Sequence, residues 1–393
     1  MPQSKFEHVK VAGLLTVVPQ NEICIYDEAQ YYNNSVKKID RMRKIVGFWK
    51  RRVADIGTTP SDLAIDAAKK LFEQSGIDKK TIDVLIFVVQ KPDVINPATA
   101  FYIHRELDLP KSCMSFDINQ GCPGWVYGMH VAHAMVESKA CKRVLLLAGD
   151  TPAEYADPKD REKAPLFGDS ATATILEYSE EKLPATYFDL GSDGSGFESL
   201  LRPAGGERIK IFDKSSRFYD EGDGLFDIFE KGDRKVCLAS ARYMDGLAIF
   251  DFTMNVVPDK IKALMQYAGV AEADIPYFMC HQANKQIVQT VAQRIAFPLE
   301  KASYEAFENY GNQTMNSIPS LICMKYKENF GEPVKILCAS FGNGLSWASC
   351  VITLGGKGTF CGGVQTFEKP KNFKTRRELI SYWKNKILGD EHE

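Results

Sequence analysis

Short unbroken apolar runs alternate along most of the chain with longer stretches in which apolar positions recur every three or four residues. The short runs predict strands buried on both faces, and the periodic stretches predict helices covering them. Val84-Leu85-Ile86-Phe87-Val88-Val89 is such a strand. It follows a helix capped by Ser61-Asp62-Leu63, running to Gln74 and stopped by Gly76, with Ile82 six residues beyond the glycine. The order then repeats with different residues. Pro258-Asp259-Lys260 opens a helix to Ala268, Gly269 stops it, Ile275 follows, and Tyr277-Phe278-Met279-Cys280 reads as the next strand.

The repeat continues further along the chain. Val144-Leu145-Leu146-Leu147-Ala148-Gly149 precedes Phe167-Gly168-Asp169-Ser170 and the strand Ala173-Thr174-Ile175-Leu176. Its later counterpart is Val334-Lys335-Ile336-Leu337-Cys338-Ala339, then Phe341-Gly342-Asn343-Gly344, then a strand from Ser346 to Leu354. A long internal repeat implies a duplicated fold. Strands alternating with helices imply mainly parallel sheets covered by helices, hence an α/β protein of two similar halves with chemistry at their junction. The expected divisions are residues 1–180 for the first half, a polar, Gly-rich insertion at 181–235, residues 236–361 for the second half, and a tail at 362–393. Long insertions often cover a substrate entrance. The tail carries Arg376, Arg377, Lys384 and Lys386 around Leu379, Ile380, Trp383 and Ile387, which predicts an amphipathic docking helix with a basic, solvated face.

Composition narrows the class of protein only slightly. With 393 residues, 45% hydrophobic and 25% charged, and a formal net charge of -2, the chain has no global bias toward nucleic acid or membrane. No basic-then-apolar leader and no apolar run long enough to span a bilayer is present, so a cytoplasmic protein is expected. The ten cysteines form no Cys-x-x-Cys pair and read as reduced core residues. His130 and His133 lie on one predicted helix without a third ligand at metal spacing, so no metal is expected.

Cys122 differs from the other cysteines. It lies in Asp117-Ile118-Asn119-Gln120-Gly121-Cys122-Pro123-Gly124-Trp125, between the apolar run Cys113–Ile118, read as a buried strand, and an amphipathic helix from Trp125 to Ser138 that Pro123 opens. A thiol at a helix N-terminus meets unpaired N–H groups and the positive end of the helix dipole, both of which favour the thiolate. His281, in Cys280-His281-Gln282-Ala283-Asn284, emerges where a strand ends, the edge at which α/β folds place their sites. Asn312 stands in Tyr310-Gly311-Asn312-Gln313-Thr314-Met315-Asn316-Ser317, before a helix from Ile318 to Tyr326; alone it reads as a turn or cap.

Together these residues resemble the thiolase superfamily, and within it the β-ketoacyl-acyl-carrier-protein synthase III family. His281-Gln282-Ala283-Asn284, Gly311-Asn312 before Ser317-Ile318-Pro319, Leu166-Phe167-Gly168-Asp169, Leu190-Gly191-Ser192-Asp193-Gly194, and Phe341-Gly342 with Gly344 and Ser346-Trp347 carry the resemblance across residues 8–356. It implies a thiolase-like fold with layers α-β-α-β-α. It also implies Cys122 as the nucleophile that accepts an acyl group from a thioester, and His281 and Asn312 as donors to the enolate left when a malonyl thioester loses carbon dioxide. A second oxyanion hole would use the backbone N–H groups of Cys122 and Asn343, in the loop Gly342-Asn343-Gly344. Further implied are Arg161 on a CoA phosphate, Asn284 at the pantetheine arm, Asn96 where a residue of the partner subunit closes the acyl pocket, acyl-CoA and acyl- or malonyl-carrier-protein substrates, no bound cofactor, carrier docking and a homodimer.

Within the superfamily, Asn312 rather than a second His, no second Cys in the last loop, and no Glu in Val89-Gln90-Lys91-Pro92-Asp93 separate the chain from the other branches. The chain departs from the synthase III pattern at four places. Before Gly47 the adenine-gripping Trp and Arg are not at their spacing, although Arg41, Arg43, Lys44 and Trp49 lie nearby; Pro123 follows Cys122 in place of a small residue; Asn96 replaces a bulky residue; and Gln286 replaces a docking Arg. These departures imply a specialised synthase serving fatty acid, polyketide or surface-glycan acyl synthesis from a starter other than acetyl-CoA. Two alternatives stay open on residues alone: an acyltransferase forming an ester or amide without decarboxylation, and a catalytically silent partner subunit. A papain-like hydrolase shares the residue types but fits the duplicated pattern poorly.

Overall fold

The computed structural model describes residues 3–388, except 156–158, 162, 213–215, 219, 221, 232–233, 327–330, 357 and 371–372. Two large sheets form its frame. The first has six strands in the order Phe360–Thr366, Val9–Val18, Ser170–Tyr178, Arg143–Asp150, Val84–Val89 and Met114–Asn119. The second has five, in the order Gln3–Phe6, Thr186–Ser192, Ser346–Leu354, Val334–Gly342 and Tyr277–Cys280. The duplication shows as matched pairings. Val84–Val89 runs parallel to Arg143–Asp150, which is antiparallel to Ser170–Tyr178; Tyr277–Cys280 runs parallel to Val334–Gly342, which is antiparallel to Ser346–Leu354.

Side chains alternate across each strand, so both faces of the central strands need cover. Leu85, Phe87 and Val89 pack under the helix Pro60–Ser75 on the outer face of the first sheet, whereas Val84, Ile86 and Val88 face the middle of the molecule. Two helices, Gly124–Glu137 and Ser317–Lys325, fill that middle layer between the sheets. Val257–Ala268 and Lys285–Arg294 cover the outer face of the second sheet. The layers are therefore α-β-α-β-α. Fully burying one large apolar side chain contributes about 1.5–3 kcal/mol, and Trp125, Phe87, Phe188, Phe278 and Phe307 are all fully buried.

Several local expectations are corrected by packing. Thr59, not Ser61, caps the helix Pro60–Ser75, in a capping box with Asp62. The helix after Cys122 is not amphipathic. It is apolar nearly all round because sheets flank it on two sides, and an added Cβ at Gly124 or Gly128 would sit 2.6 Å from Val88 or Leu146. The strand before Cys122 runs Met114–Asn119 at an edge of the first sheet and is half-buried rather than fully buried.

The boundaries shift as well. The segment 181–235 supplies Thr186–Ser192, an internal strand of the second sheet, so the excursion begins only after Ser192; residues 213–215, 219, 221 and 232–233 of it lie outside the described residues. Gln3–Phe6 also joins the second sheet, and Phe360–Thr366 from the start of the tail joins the first, so each end of the chain crosses to the other half. The tail helix forms over Arg376–Leu388 but buries no residue, and Trp383 is 55% exposed, so it does not dock on this chain. No helix among the described residues is long and apolar enough to cross a membrane.

His130 and His133 serve the core. Both rings pack against Phe6 and Phe188. Burial pushes His133 down to about 4, and its Nε2 has no partner. A folded-state value below the unfolded value of about 6.5 means that the unfolded chain binds the extra proton first. The stability is complete above pH 6.5 and lost as pH falls toward 4. Asp93, raised to about 6 by burial, acts with the opposite sign, so the difference between variant and wild type is the clean measure. Chemical denaturation of His133→Leu against wild type should show the variant gaining roughly 3 kcal/mol in relative stability between pH 7 and pH 4; a pH-independent difference would mean that His133 does not titrate there.

Candidate active site

The site is assembled at the ends of strands and the starts of the two middle helices. Met114–Asn119 delivers Cys122 one residue before Pro123, the N-cap of Gly124–Glu137. Tyr277–Cys280 delivers His281, whose N–H donates to the Ala339 carbonyl at 2.8 Å. Asn312 leads through a short turn into Ser317–Lys325. The duplication therefore sets Cys122 and Asn312 before equivalent helices, facing the junction from opposite halves.

Shared neighbours tie the three together. Gly342, at the end of Val334–Gly342, lies so close to Cys122 that an added Cβ would stand 2.9 Å from Cys122 Cβ and 3.1 Å from its Sγ. The preceding Phe341 meets the His281 ring edge-on with centroids 5.7 Å apart. The Thr314 backbone lies beside the His281 ring, and the Thr314 N–H donates to Asn312 Oδ1 at 2.9 Å. With that oxygen occupied, Asn312 keeps its NH2 group as a free donor. Thr314 holds this position at φ 50°, uncommon for a β-branched residue.

Protonation states differ from the expectation at Cys122. Burial pushes its thiol up to about 12 and the Asp150 carboxylate adds to the rise, while its own backbone N–H and the Arg242 cation pull the other way. Desolvation of the charged form thus outweighs the helix N-terminus, and the resting group is a thiol. Burial lowers His281 to about 4, against an opposing pull from the nearby Thr314 backbone, so the imidazole is neutral at pH 7.

The sequence motifs resolve into buckles around this centre. Asp169 accepts from the N–H groups of Ala54 at 2.7 Å and Ala153 at 2.9 Å. Phe167 bridges to Asn312, whose N–H donates to Leu166 at 2.6 Å and whose carbonyl accepts from Gly168 at 3.2 Å. Asp193 and Leu345 exchange backbone bonds of 2.7 and 2.9 Å, fixing the Gly342-Asn343-Gly344 loop to the strand Thr186–Ser192. Gly344, at φ 137°, occupies backbone space that favours glycine. Asn343 lies over Gly121, where any side chain would collide with its carboxamide. Gln282 is structural: its amide donates to Cys280 and Ser303 carbonyls and accepts from Phe307.

Gly168 gives a direct test of this scaffold. An added Cβ would sit 1.8 Å from the Tyr310 carbonyl oxygen, so the backbone bearing Asn312 must move. Gly168→Ala should cost about 1–3 kcal/mol in stability and lower activity together with the melting temperature, measured by thermal unfolding and turnover of the same sample.

The remaining expected residues lie outside this cluster. Arg161 is half-buried near Tyr32, and Asp157 and Pro158 before it lie outside the described residues. Asn284 caps Lys285–Arg294, its Oδ1 accepting from Ile287 at 2.8 Å, which leaves only its NH2 for a ligand. Asn96 is exposed in a loop with Ile95, and Gln286 is exposed on its helix. The cations near Gly47 cover Trp49 instead of leaving it bare: Arg43 and Lys50 stand 5.1 and 4.9 Å from its ring.

Sequence reasoning missed Asp150, Gln90, Thr314 and Arg242. Asp150 ends Arg143–Asp150 and Gln90 follows Val84–Val89, so the strand-end rule that singled out His281 also covers both. No sequence signal marks Arg242. Among the described residues, no group of His, Cys, Asp or Glu is arranged to hold a metal ion.

A five-layer duplicated α/β body of this kind places the protein in the thiolase-like class. Residues 116–194 match the family 3-oxoacyl-[acyl-carrier-protein (ACP)] synthase III, and residues 265–354 match its C-terminal part. A Campylobacter jejuni relative named as a 3-oxoacyl-[acyl-carrier-protein] synthase 3 is 34% identical over 89% of this chain and 95% of its own length. A β-ketoacyl-[acyl-carrier-protein] synthase III of Natranaerobius thermophilus is 30% identical over 78% of this chain and 88% of its own. The crystal structure of a 3-oxoacyl-(acyl-carrier protein) synthase from Burkholderia xenovorans superposes with a TM-score of 0.79 and 31% identity, covering 93% of this chain and 98% of that one. The chain belongs to the 3-oxoacyl-[acyl-carrier-protein] synthase III family.

Proposed function

We propose that this protein is a transferase that condenses an acyl group with a malonyl thioester, using Cys122 as nucleophile and His281 and Asn312 as donors to the enolate oxygen. The observation that carries the reading is that Thr314 is bonded to Asn312 and lies beside His281, while Gly342 lies against the Cys122 sulfur.

In the first half-reaction the Cys122 sulfur bonds to the acyl carbon of the incoming thioester, the donor's C–S bond breaks, and the thiol proton leaves on the departing thiol. The tetrahedral intermediate needs fixed donors for its oxygen; the N–H groups of Cys122 and Asn343 are assigned that role. In the second, the C–C bond to the malonyl carboxylate breaks and its electron pair becomes the enolate, whose oxygen faces neutral His281 and the Asn312 NH2. The enolate carbon then attacks the acyl carbon, and Cys122 departs as thiolate and takes a proton from solvent. A neutral imidazole suits this step because it donates to the developing charge without protonating the carbon.

The substrates of this reading are acyl-CoA or acyl-carrier thioesters and a malonyl-carrier thioester, with no resident cofactor. Arg161 and Asn284 are assigned to the pantetheine side and Asn96 to a pocket shared across a homodimer. The enzyme would work in the cytoplasm and dock an acyl-carrier protein.

The test is incubation with an acyl thioester and a malonyl-carrier thioester, following the mass of Cys122 and carbon dioxide release. An acyl adduct consumed with stoichiometric carbon dioxide and a 3-oxoacyl product supports condensation. An ester or amide formed without carbon dioxide, or no adduct from any donor, overturns it.

A further inference from the structure

Arg242 precedes the short strand Tyr243–Met244, which pairs with Leu200–Leu201, and its carbonyl accepts from Lys163 Nζ at 3.4 Å. Its guanidinium carbon stands 5.2 Å from the centroid of the Phe167 ring. Phe167 is the residue bridged to Asn312. A cation therefore sits on the ring of the residue whose backbone is paired with Asn312. Its charge also reaches the Cys122 sulfur and the Asp150 carboxylate.

Asp150 does not use up that charge. Its oxygens accept from Gln90 Nε2 at 2.9 Å and from the Thr151 N–H at 3.0 Å. Lys91 brings a second positive charge to the same carboxylate. Among the described residues, no hydrogen bond or ion pair engages the Arg242 guanidinium; the Phe167 face alone holds it. A half-buried guanidinium with unspent donors on an aromatic wall is suited to a planar anion that can take two parallel N–H bonds, above all a carboxylate.

We propose that Arg242 receives a carboxylate carried on the acyl chain being loaded onto Cys122, so that the donor is a thioester of a dicarboxylic acid. The inference rests on the condensing reading above and adds the class of starter to it. The malonyl extender is a second source of the same chemistry, but a cation gripping the carboxylate that must leave would stabilise the ground state and slow decarboxylation. The pantetheine phosphate lies at the far end of a long arm from the thioester, out of reach of a cation whose field acts on Cys122. Loading itself is the same thioester exchange as in the first half-reaction, with the distal carboxylate chemically unchanged.

The experiment compares glutaryl-CoA with pentanoyl-CoA, matched in chain length, as donors to the full-length protein without extender, and follows the Cys122 adduct by intact mass. Wild type should load the glutaryl group faster. Arg242→Leu should lower the glutaryl-to-pentanoyl rate ratio about 10- to 100-fold, the range for a hydrogen bond to a charged group, and Arg242→Lys should restore part of it. A wild type that loads pentanoyl at least as fast, or a ratio unmoved in Arg242→Leu, overturns the proposal. A normal ratio with slowed carbon dioxide release on adding malonyl-carrier thioester assigns the carboxylate to the extender and likewise overturns it. Failure of wild type to load either group, or any other acyl donor, overturns instead the condensing reading on which it stands.

Discussion

Replacing Cys122 with Ala is expected to abolish acyl loading: no donor leaves a covalent adduct, and formation of the condensed product falls by about 10⁴-fold or more, because the covalent intermediate cannot form. The fold should survive. Cys122 is only partly covered, and Ala keeps the Cβ against which Gly342 packs. The informative part is what remains. His281 keeps its place and Asn312 its bond to Thr314 in the variant, so carbon dioxide release from a malonyl thioester should fall far less than product formation. Mass spectrometry of the protein and separate assays of carbon dioxide and product check this, and equal losses in both would mean that the sulfur also takes part in decarboxylation.

The complementary loss is expected from His281→Ala. Loading of Cys122 should persist, whereas carbon dioxide release should drop about 10²- to 10³-fold, the usual effect of removing one preorganised oxyanion donor. Asn312→Ala should act in the same direction. The double variant should lose less than the product of the two, since both donors serve one oxygen. With His281 held near 4, carbon dioxide release should not titrate on this group between pH 6 and 8. A pH profile breaking near 6.5, or loss of loading in His281→Ala, would assign the imidazole to activation of the thiol instead.

Much of the fold was legible because its strands are buried on both faces. Val84–Val89, Tyr277–Cys280 and Ser346–Leu354 form over the residues their apolar runs mark, and glycines 76 and 269 end their helices in the left-handed conformation. The misread elements are those whose neighbours come from far along the chain. Thr186–Ser192 reads as part of the polar, Gly-rich segment 181–235, because its buried Phe188 and Leu190 find their partners far along the chain and Gly191 leaves room for the Trp347 ring, 2.1 Å from where a Cβ would stand. Phe360–Thr366 has no local mark of the partner it finds at Val9–Val18.

The site divides in the same way. Cys122, His281 and Asn312 each end an element, and that position is written in local pattern: an apolar run, a break, then helical periodicity. Their convergence is not local, since it depends on two middle helices beginning at one junction and on Gly342 reaching across to Cys122.

By itself, then, the sequence determined the alternation of elements, the duplication and the positions from which reactive side chains could emerge, because burial periodicity and turn chemistry act over a few residues. Only the tertiary structure decided the charge state of Cys122, the placing of Thr314 beside both His281 and Asn312, and the seat of Arg242 on the Phe167 ring. Desolvation and electrostatics depend on distance in space, and the groups that set them are scattered from residue 90 to residue 342.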